Sequence, residues 1–84
     1  MMQVKILSTP ACGECAKAKK LLEEIKPQYP ELVVEEVDMA TPEGQEIISK
    51  YMIMSSPGVI INGELFSTGA LDKQKLIEKL DNLK

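Results

Sequence analysis

The chain has 84 residues, of which 44% are apolar and 27% charged, and this composition is typical of one small globular domain. We therefore predict a single domain over residues 1–84. The formal charge is −3, which argues against a nucleic-acid or anionic membrane partner, because both attract positively charged proteins. All ten basic residues are lysine, so the chain also lacks the planar guanidinium group with which arginine binds phosphate. The absence of histidine removes the usual general base and the commonest metal ligand.

No apolar run approaches the length of a membrane span, and the first residues lack the long hydrophobic region and small-residue cleavage site of a secretory signal. We therefore expect a cytoplasmic protein with no membrane partner. In that compartment, two cysteines three residues apart are expected to form a reactive pair rather than a structural cross-link.

The first half of the chain predicts a strand, a helix and a second strand. Residues 4–7 form a short apolar run that Ser8, Thr9 and Pro10 end, which is typical of a buried strand. Residues 12–26 follow a helical pattern, and residues 32–37 give the second strand. The apolar positions of the helix recur at steps of three and four: Cys15, Ala18, Leu22 and Ile25.

The second half predicts a helix, a hairpin and a last helix. Thr41 supplies a capping hydroxyl and Pro42 suits the first helical position. The apolar runs 59–61 and 65–66 flank an Asn-Gly pair, which favours an antiparallel hairpin. Asp72 is predicted to cap the last helix. The predicted buried faces of the two helices are Ile47, Ile48, Tyr51 and Met52, and then Leu76, Ile77, Leu80 and Leu83.

The predicted order of elements is therefore β-α-β-α-β-β-α. The first two strands are joined through a helix and should be parallel, and the hairpin should complete the sheet. The fold class is α/β, with one four-stranded mixed sheet flanked by three helices.

The two cysteines lie where the first strand passes into the first helix. Cys12 and Cys15 should lie on one helical face with their sulfurs within bonding reach. The amides and dipole of a helix N-terminus favour negative charge and should lower the pKa of Cys12. Because Cys15 lies on the buried stripe, we predict that Cys12 is the attacking nucleophile and Cys15 the resolving thiol of a disulfide exchange.

Metal binding by the same pair is the alternative interpretation. Two thiolates complete half of a tetrahedral zinc site, so a second chain or a small thiol would have to supply the other ligands. The alternative function is thus a metal carrier or an iron–sulfur carrier bridged between two chains. The leading prediction assigns no metal ligands.

The segments 10–15 and 55–63 resemble the thioredoxin-like superfamily, most closely its small glutaredoxin-like and thioredoxin-like members, and the resemblance covers essentially the whole chain. It implies the thioredoxin-like fold and a cis-proline, Pro57, that faces the active cysteines. It also implies that Ser56 binds the substrate strand through its backbone N–H and C=O. Thr68, Gly69 and Asp72 are similar to the segment with which glutaredoxins hold a glutathione carboxylate, so glutathione is a candidate ligand.

The chain also departs from both patterns. Ala11 and Glu14 occupy the positions of the tryptophan and proline of thioredoxins, and the proline and tyrosine of glutaredoxins are missing. The buried aspartate of thioredoxins falls near Ile6. Lys17, Lys19 and Lys20 are close enough in sequence to offset Glu14 in part, but we interpret them first as a solvated helix face. We expect Ala11, Met54, Gly58 and Val59 to form an apolar rim around Cys12.

The predicted function is that of a thiol–disulfide oxidoreductase, a reductase or electron carrier for protein disulfides that serves cell redox homeostasis. Its partners would be protein disulfide substrates and a separate reductase, because the chain has no glycine-rich dinucleotide motif. We expect a monomer that needs no cofactor beyond the Cys12–Cys15 dithiol.

Overall fold

The structure is a computed structural model and describes residues 2–10 and 12–83. Its strands are β1 (Met2–Ser8), β2 (Leu32–Asp38), β3 (Gly58–Ile61) and β4 (Glu64–Thr68). Its helices are α1 (Gly13–Ile25), α2 (Pro42–Tyr51) and α3 (Lys73–Asn82), and a single 3-10 turn (Lys26–Gln28) follows α1. The predicted order of elements and the mixed four-stranded sheet with three helices are confirmed.

The four strands form one sheet in the order β2-β1-β3-β4. β1 runs parallel to β2, whereas β1–β3 and β3–β4 are antiparallel. Asn62 and Gly63 make the hairpin turn with φ angles of 50° and 82°. Positive φ at both central positions is what a tight hairpin turn requires, so the Asn-Gly pair fixes this connection.

The two faces of the sheet bury two separate clusters, because side chains alternate along β1. Val4 and Ile6 point into the larger cluster, which α1 and α3 cover. Leu7 points to the opposite face, where it packs with Ile60 and with residues of α2. The carboxyl half of β1 is thereby packed on both faces of the sheet.

The predicted buried face of α2 is wrong at Met52. This residue is 80% exposed and ends the helix in a left-handed conformation, with φ of 54°. The reversal turns Met52 outward and places Ile53, which is 6% exposed, in the core instead. The helical spacing of apolar residues gives a wrong prediction here because the helix ends at Tyr51, whereas the predicted apolar face extends one residue further.

None of the helices in residues 2–10 and 12–83 is both long enough and apolar enough to cross a lipid bilayer.

Candidate active site

The candidate site lies where the carboxyl end of β1 meets the amino end of β3. Antiparallel pairing puts Leu7 opposite Gly58, so the segments that follow β1 and precede β3 lie side by side. The first of these segments carries Cys12 and the second carries Ser56 and Pro57. Two parts of the chain 44 residues apart are brought together in this way.

Cys12 is the N-cap residue of α1. Its backbone is extended, with φ of −97° and ψ of 112°, and its carbonyl oxygen accepts a hydrogen bond from the N–H of Ala16 at 3.2 Å. Its Sγ accepts a hydrogen bond from the N–H of Cys15 at 3.1 Å. A sulfur in this position meets an amide of the first helical turn, which has no carbonyl partner within the helix, and the positive end of the helix dipole; both favour a thiolate.

Cys12 and Cys15 form a disulfide, with their Cα atoms 5.2 Å apart. The prediction that the two sulfurs lie within bonding reach is therefore confirmed. Cys15 is only 1% exposed, whereas Cys12 is partly exposed. An incoming disulfide can therefore reach the first sulfur and not the second.

Pro57 follows a cis peptide bond, as the resemblance implied, and it is fully buried. The hydroxyl oxygen of Ser56 lies 3.6 Å from the Sγ of Cys12. The sequence analysis assigned only the backbone of Ser56 and missed this side-chain contact. A polar residue directly before the proline was the signal that could have revealed it.

The three glutathione candidates are not equivalent in the structure. Gly69 adjoins the site, because its N–H donates to the carbonyl oxygen of Pro57 at 2.9 Å, and its φ of 81° suits glycine. Thr68 ends β4 opposite Gly58 and is exposed. The carboxylate of Asp72 accepts a hydrogen bond from the N–H of Lys75 at 3.1 Å and so caps α3.

The charges around Cys12 are exposed. Glu14 forms an ion pair with Lys17 at 3.4 Å, and Lys19 pairs with Glu36 of β2 at 3.2 Å. Lys17 is thus in contact with Glu14, whereas Lys19 is in contact with a different carboxylate. Exposed pairs of this kind contribute little energy, about 0–1 kcal/mol.

The predicted apolar rim is wrong in part. Gly58 and Val59 line no surface, because all four residues of β3 are buried. Met54 is 94% exposed, and Ala11 lies outside the described residues. Ile6 is fully buried, and no acidic side chain is buried anywhere in residues 2–10 and 12–83. Cys15 therefore has no buried carboxylate partner in this part of the chain.

No group of three or more His, Cys, Asp or Glu side chains that could hold a metal ion occurs among the described residues. A metal at the cysteine pair would need ligands from another molecule.

A family model described as a thioredoxin domain matches residues 2–82. The thioredoxin of Methanocaldococcus jannaschii is 30% identical over 80 residues, covering 94% of this chain and 92% of the relative.

Solved structures of other proteins share the fold of this chain. Oxidised thioredoxin O2 of Arabidopsis thaliana has a TM-score of 0.77 at 19% identity, covering 99% of this chain and 75% of that one. A thioredoxin-like protein of Clostridium perfringens has a TM-score of 0.80 at 13% identity, covering 99% and 71%. With a cysteine pair at a helix N-terminus beside a cis-proline, this chain belongs to the thioredoxin domain family and is a thiol–disulfide oxidoreductase.

Proposed function

We propose that the protein reduces disulfide bonds in other proteins through a mixed disulfide, with Cys12 as the nucleophile and Cys15 as the resolving thiol. The observation that carries this proposal is the contrast between the two sulfurs. Cys12 is partly exposed and accepts an amide hydrogen bond at 3.1 Å, whereas Cys15 is 1% exposed behind it. The accessible thiol is therefore also the one whose anion is stabilised.

In the first step, the Cys12 thiolate attacks one sulfur of the substrate disulfide. The Cys12–substrate S–S bond forms as the substrate disulfide breaks, and the departing thiolate keeps the bonding electron pair and takes a proton from water. No histidine is needed, because the helix N-terminus stabilises the attacking anion.

In the second step, Cys15 loses its proton and attacks the Sγ of Cys12. The mixed disulfide breaks, the second substrate thiolate leaves and is protonated, and the Cys12–Cys15 disulfide holds the oxidised state. Two electrons have passed from the dithiol to the substrate. The proton of Cys15 passes to the departing thiolate or to water.

The substrate strand would pair with the backbone of Ser56, beside Pro57. Ser56 lies just outside β3, and within the described residues its N–H and C=O make no hydrogen bond to another backbone group. An extended peptide could therefore add its own hydrogen bonds there, as a strand adds to an open edge.

Turnover requires a separate reductase, because the sequence has no dinucleotide-binding motif of its own. We propose that the protein works in the cytoplasm as a monomeric electron carrier that serves redox homeostasis. Glutathione binding at Thr68, Gly69 and Asp72 stays a prediction. The Gly69 N–H and the Asp72 carboxylate already have hydrogen-bond partners within the chain, and they would have to share or exchange these partners to bind glutathione.

The test is insulin reduction by the wild type and by the Cys12→Ser and Cys15→Ser variants. Both variants should lose dithiol turnover by at least about a hundredfold, because each removes one sulfur of the exchange. Cys15→Ser alone should accumulate a covalent adduct with the substrate, which mass spectrometry of non-reduced samples detects.

Full activity of Cys12→Ser would contradict the assignment of roles. Stoichiometric zinc or iron in the purified reduced protein, without insulin reduction, would favour the metal carrier instead. Faster turnover of the wild type with glutathione as reductant, and its loss in Asp72→Ala, would support the glutathione site.

A further inference from the structure

We infer that the side-chain hydroxyl of Ser56 is a catalytic group that donates a second hydrogen bond to the Cys12 sulfur and stabilises it as the attacking anion. The inference rests on the proposed role of Cys12 as nucleophile. It concerns the hydroxyl of Ser56, whereas the resemblance assigns this position only a backbone role in substrate binding.

The chemistry of the two atoms determines which of them donates this hydrogen bond. The Oγ of Ser56 and the Sγ of Cys12 are 3.6 Å apart, which is within reach for a bond to the large sulfur atom. A sulfur in a disulfide or a thiolate carries no hydrogen, so the hydroxyl is the only group of this pair that can donate. A hydroxyl rotates freely and loses little by turning toward the sulfur.

The fold holds the two partners on independent supports. Cys12 is fixed by α1, through the hydrogen bonds of its sulfur and its carbonyl oxygen. Ser56 is fixed by Pro57, which is fully buried and whose carbonyl oxygen accepts a hydrogen bond from the Gly69 N–H at 2.9 Å. The contact is therefore built in by the tertiary structure and does not follow from the local sequence around either residue.

Two donors should hold the anion more tightly than one. The Cys15 N–H approaches the Cys12 sulfur at 3.1 Å from the helix, and the Ser56 hydroxyl approaches it from the opposite segment. Hydrogen bonds to a charged acceptor are about twice as strong as those between neutral groups, so both favour the thiolate over the thiol and over the disulfide. The hydroxyl should therefore lower the pKa of Cys12 and raise the reduction potential of the pair.

The experiment measures the pKa of Cys12 in a Cys15→Ser background, where Cys12 is the only thiol. Ser56→Ala, Ser56→Val and Ser56→Thr are added to that background, and thiolate absorbance and iodoacetamide alkylation are followed against pH. Valine and threonine have the same shape, so they isolate the hydroxyl. Ala and Val should raise the pKa by about one unit, a tenfold loss of thiolate at a pH below both values, whereas Thr should stay within about 0.3 unit of the parent.

Ser55→Ala is the matched control, because it deletes the neighbouring exposed hydroxyl and leaves the Cys12 contact in place. It should keep the parent pKa. With Cys15 intact, Ser56→Ala and Ser56→Val should make the reduction potential more negative, by about 30 mV for a tenfold change in thiolate stabilisation.

An unchanged Cys12 pKa in folded Ser56→Ala and Ser56→Val would overturn the inference, and so would an equal rise in Ser56→Thr. The circular dichroism spectrum and the midpoint of thermal unfolding establish that each variant is folded. The titration uses no disulfide substrate, so its result is separate from insulin reduction. A protein that fails to reduce insulin but shows the Ser56-dependent pKa would contradict the proposed function alone.

Discussion

Cys12 is an unusual residue for a helix N-cap. Thr41 caps α2 and Asp72 caps α3, each with an oxygen that accepts an amide hydrogen bond at 3.0 Å or 3.1 Å. Cys12 does the same for α1 with sulfur, and the charge of that sulfur changes with the redox state. The thiolate that we propose for the reduced protein would be an anionic cap at the positive end of the helix dipole, so α1 should be better capped after reduction.

Tyr29 joins the end of α1 to the end of α3. Its side chain is 4% exposed, and its hydroxyl donates to a carboxylate oxygen of Asp81 at 2.7 Å. This hydrogen bond, then burial of the ring, then the negative charge of Asp81 raise the pKa of Tyr29 above its ordinary value of about 10.

The raised pKa predicts a loss of stability in alkali. The folded state holds the phenol proton more tightly than the unfolded state, so the contribution is complete below pH about 10 and is lost as the pH rises through the folded-state pKa. In Tyr29→Phe, the free energy of unfolding should fall less steeply above pH about 10 than in the wild type. Urea unfolding at a series of alkaline pH values measures this slope.

Tyr51→Phe is the control for that measurement. It removes the other tyrosine hydroxyl, which donates to the carbonyl oxygen of Gly63 at 2.7 Å. It should keep the steep alkaline decline of the wild type. An identical decline in Tyr29→Phe and the wild type would show that the Asp81 hydrogen bond has no part in it.

At the residue scale, the sequence predicted the cysteines better than their surroundings. Cys12 and Cys15 follow from their spacing at a strand-to-helix junction, and Pro57 follows from the family resemblance. The contact between Cys12 and the Ser56 hydroxyl depends on how β3 pairs with β1, and no local pattern records it. The exposure of Met52 depends on a left-handed residue at the end of a helix, which is rare for a residue other than glycine.

At the scale of elements, the start of α2 depends on a close backbone approach. Gly44 lies in its first turn, where its N–H donates to the hydroxyl of Thr41 at 3.0 Å. A Cβ on Gly44 would overlap the carbonyl oxygen of Asp38 and lie 2.9 Å from the Cα of Met39. Both obstacles are backbone atoms, so neither can turn aside as a side chain would.

We therefore expect Gly44→Ala to destabilise the protein by about 1–3 kcal/mol, although alanine has the higher helix propensity by about 1 kcal/mol. Chemical denaturation measures the difference. Gly13→Ala is the matched control, because a Cβ at Gly13 meets no atom within 4 Å. That variant should be as stable as the wild type or slightly more stable, and equal stability of Gly44→Ala would contradict the close approach.

The elements themselves were predictable because short-range chemistry fixes their ends. Pro42, Asp72 and the Asn62–Gly63 turn each act within four residues, and the structure places each of them as predicted. The requirement for glycine at position 44 was not predictable, because it comes from the turn after β2 that folds back over α2. Tertiary contacts of this kind leave no periodic pattern in the sequence.

At the scale of the molecule, the two sides of the sheet are unequal. α1 and α3 cover one face with a cluster of twelve buried residues, whereas α2 covers the other with a cluster of four. Cys15 lies on the buried face of α1 one turn before Ala18, which belongs to the larger cluster, so most of the buried apolar residues are on the side of the sheet that supports Cys15. The stability of the site should therefore depend on α3, although α3 contributes neither cysteine.

Leu80 of α3 tests that dependence. It is fully buried, and its truncation to alanine should cost about 2–5 kcal/mol, a large share of the roughly 4–13 kcal/mol that stabilises a domain of this size. The thermal midpoint of Leu80→Ala should fall by about 10 °C or more, as followed by circular dichroism.

Met54→Ala is the control for this measurement. Met54 is 94% exposed, so its truncation should change the free energy of unfolding by less than about 0.5 kcal/mol. Equal midpoints for the two variants would show that α3 does not support the sheet.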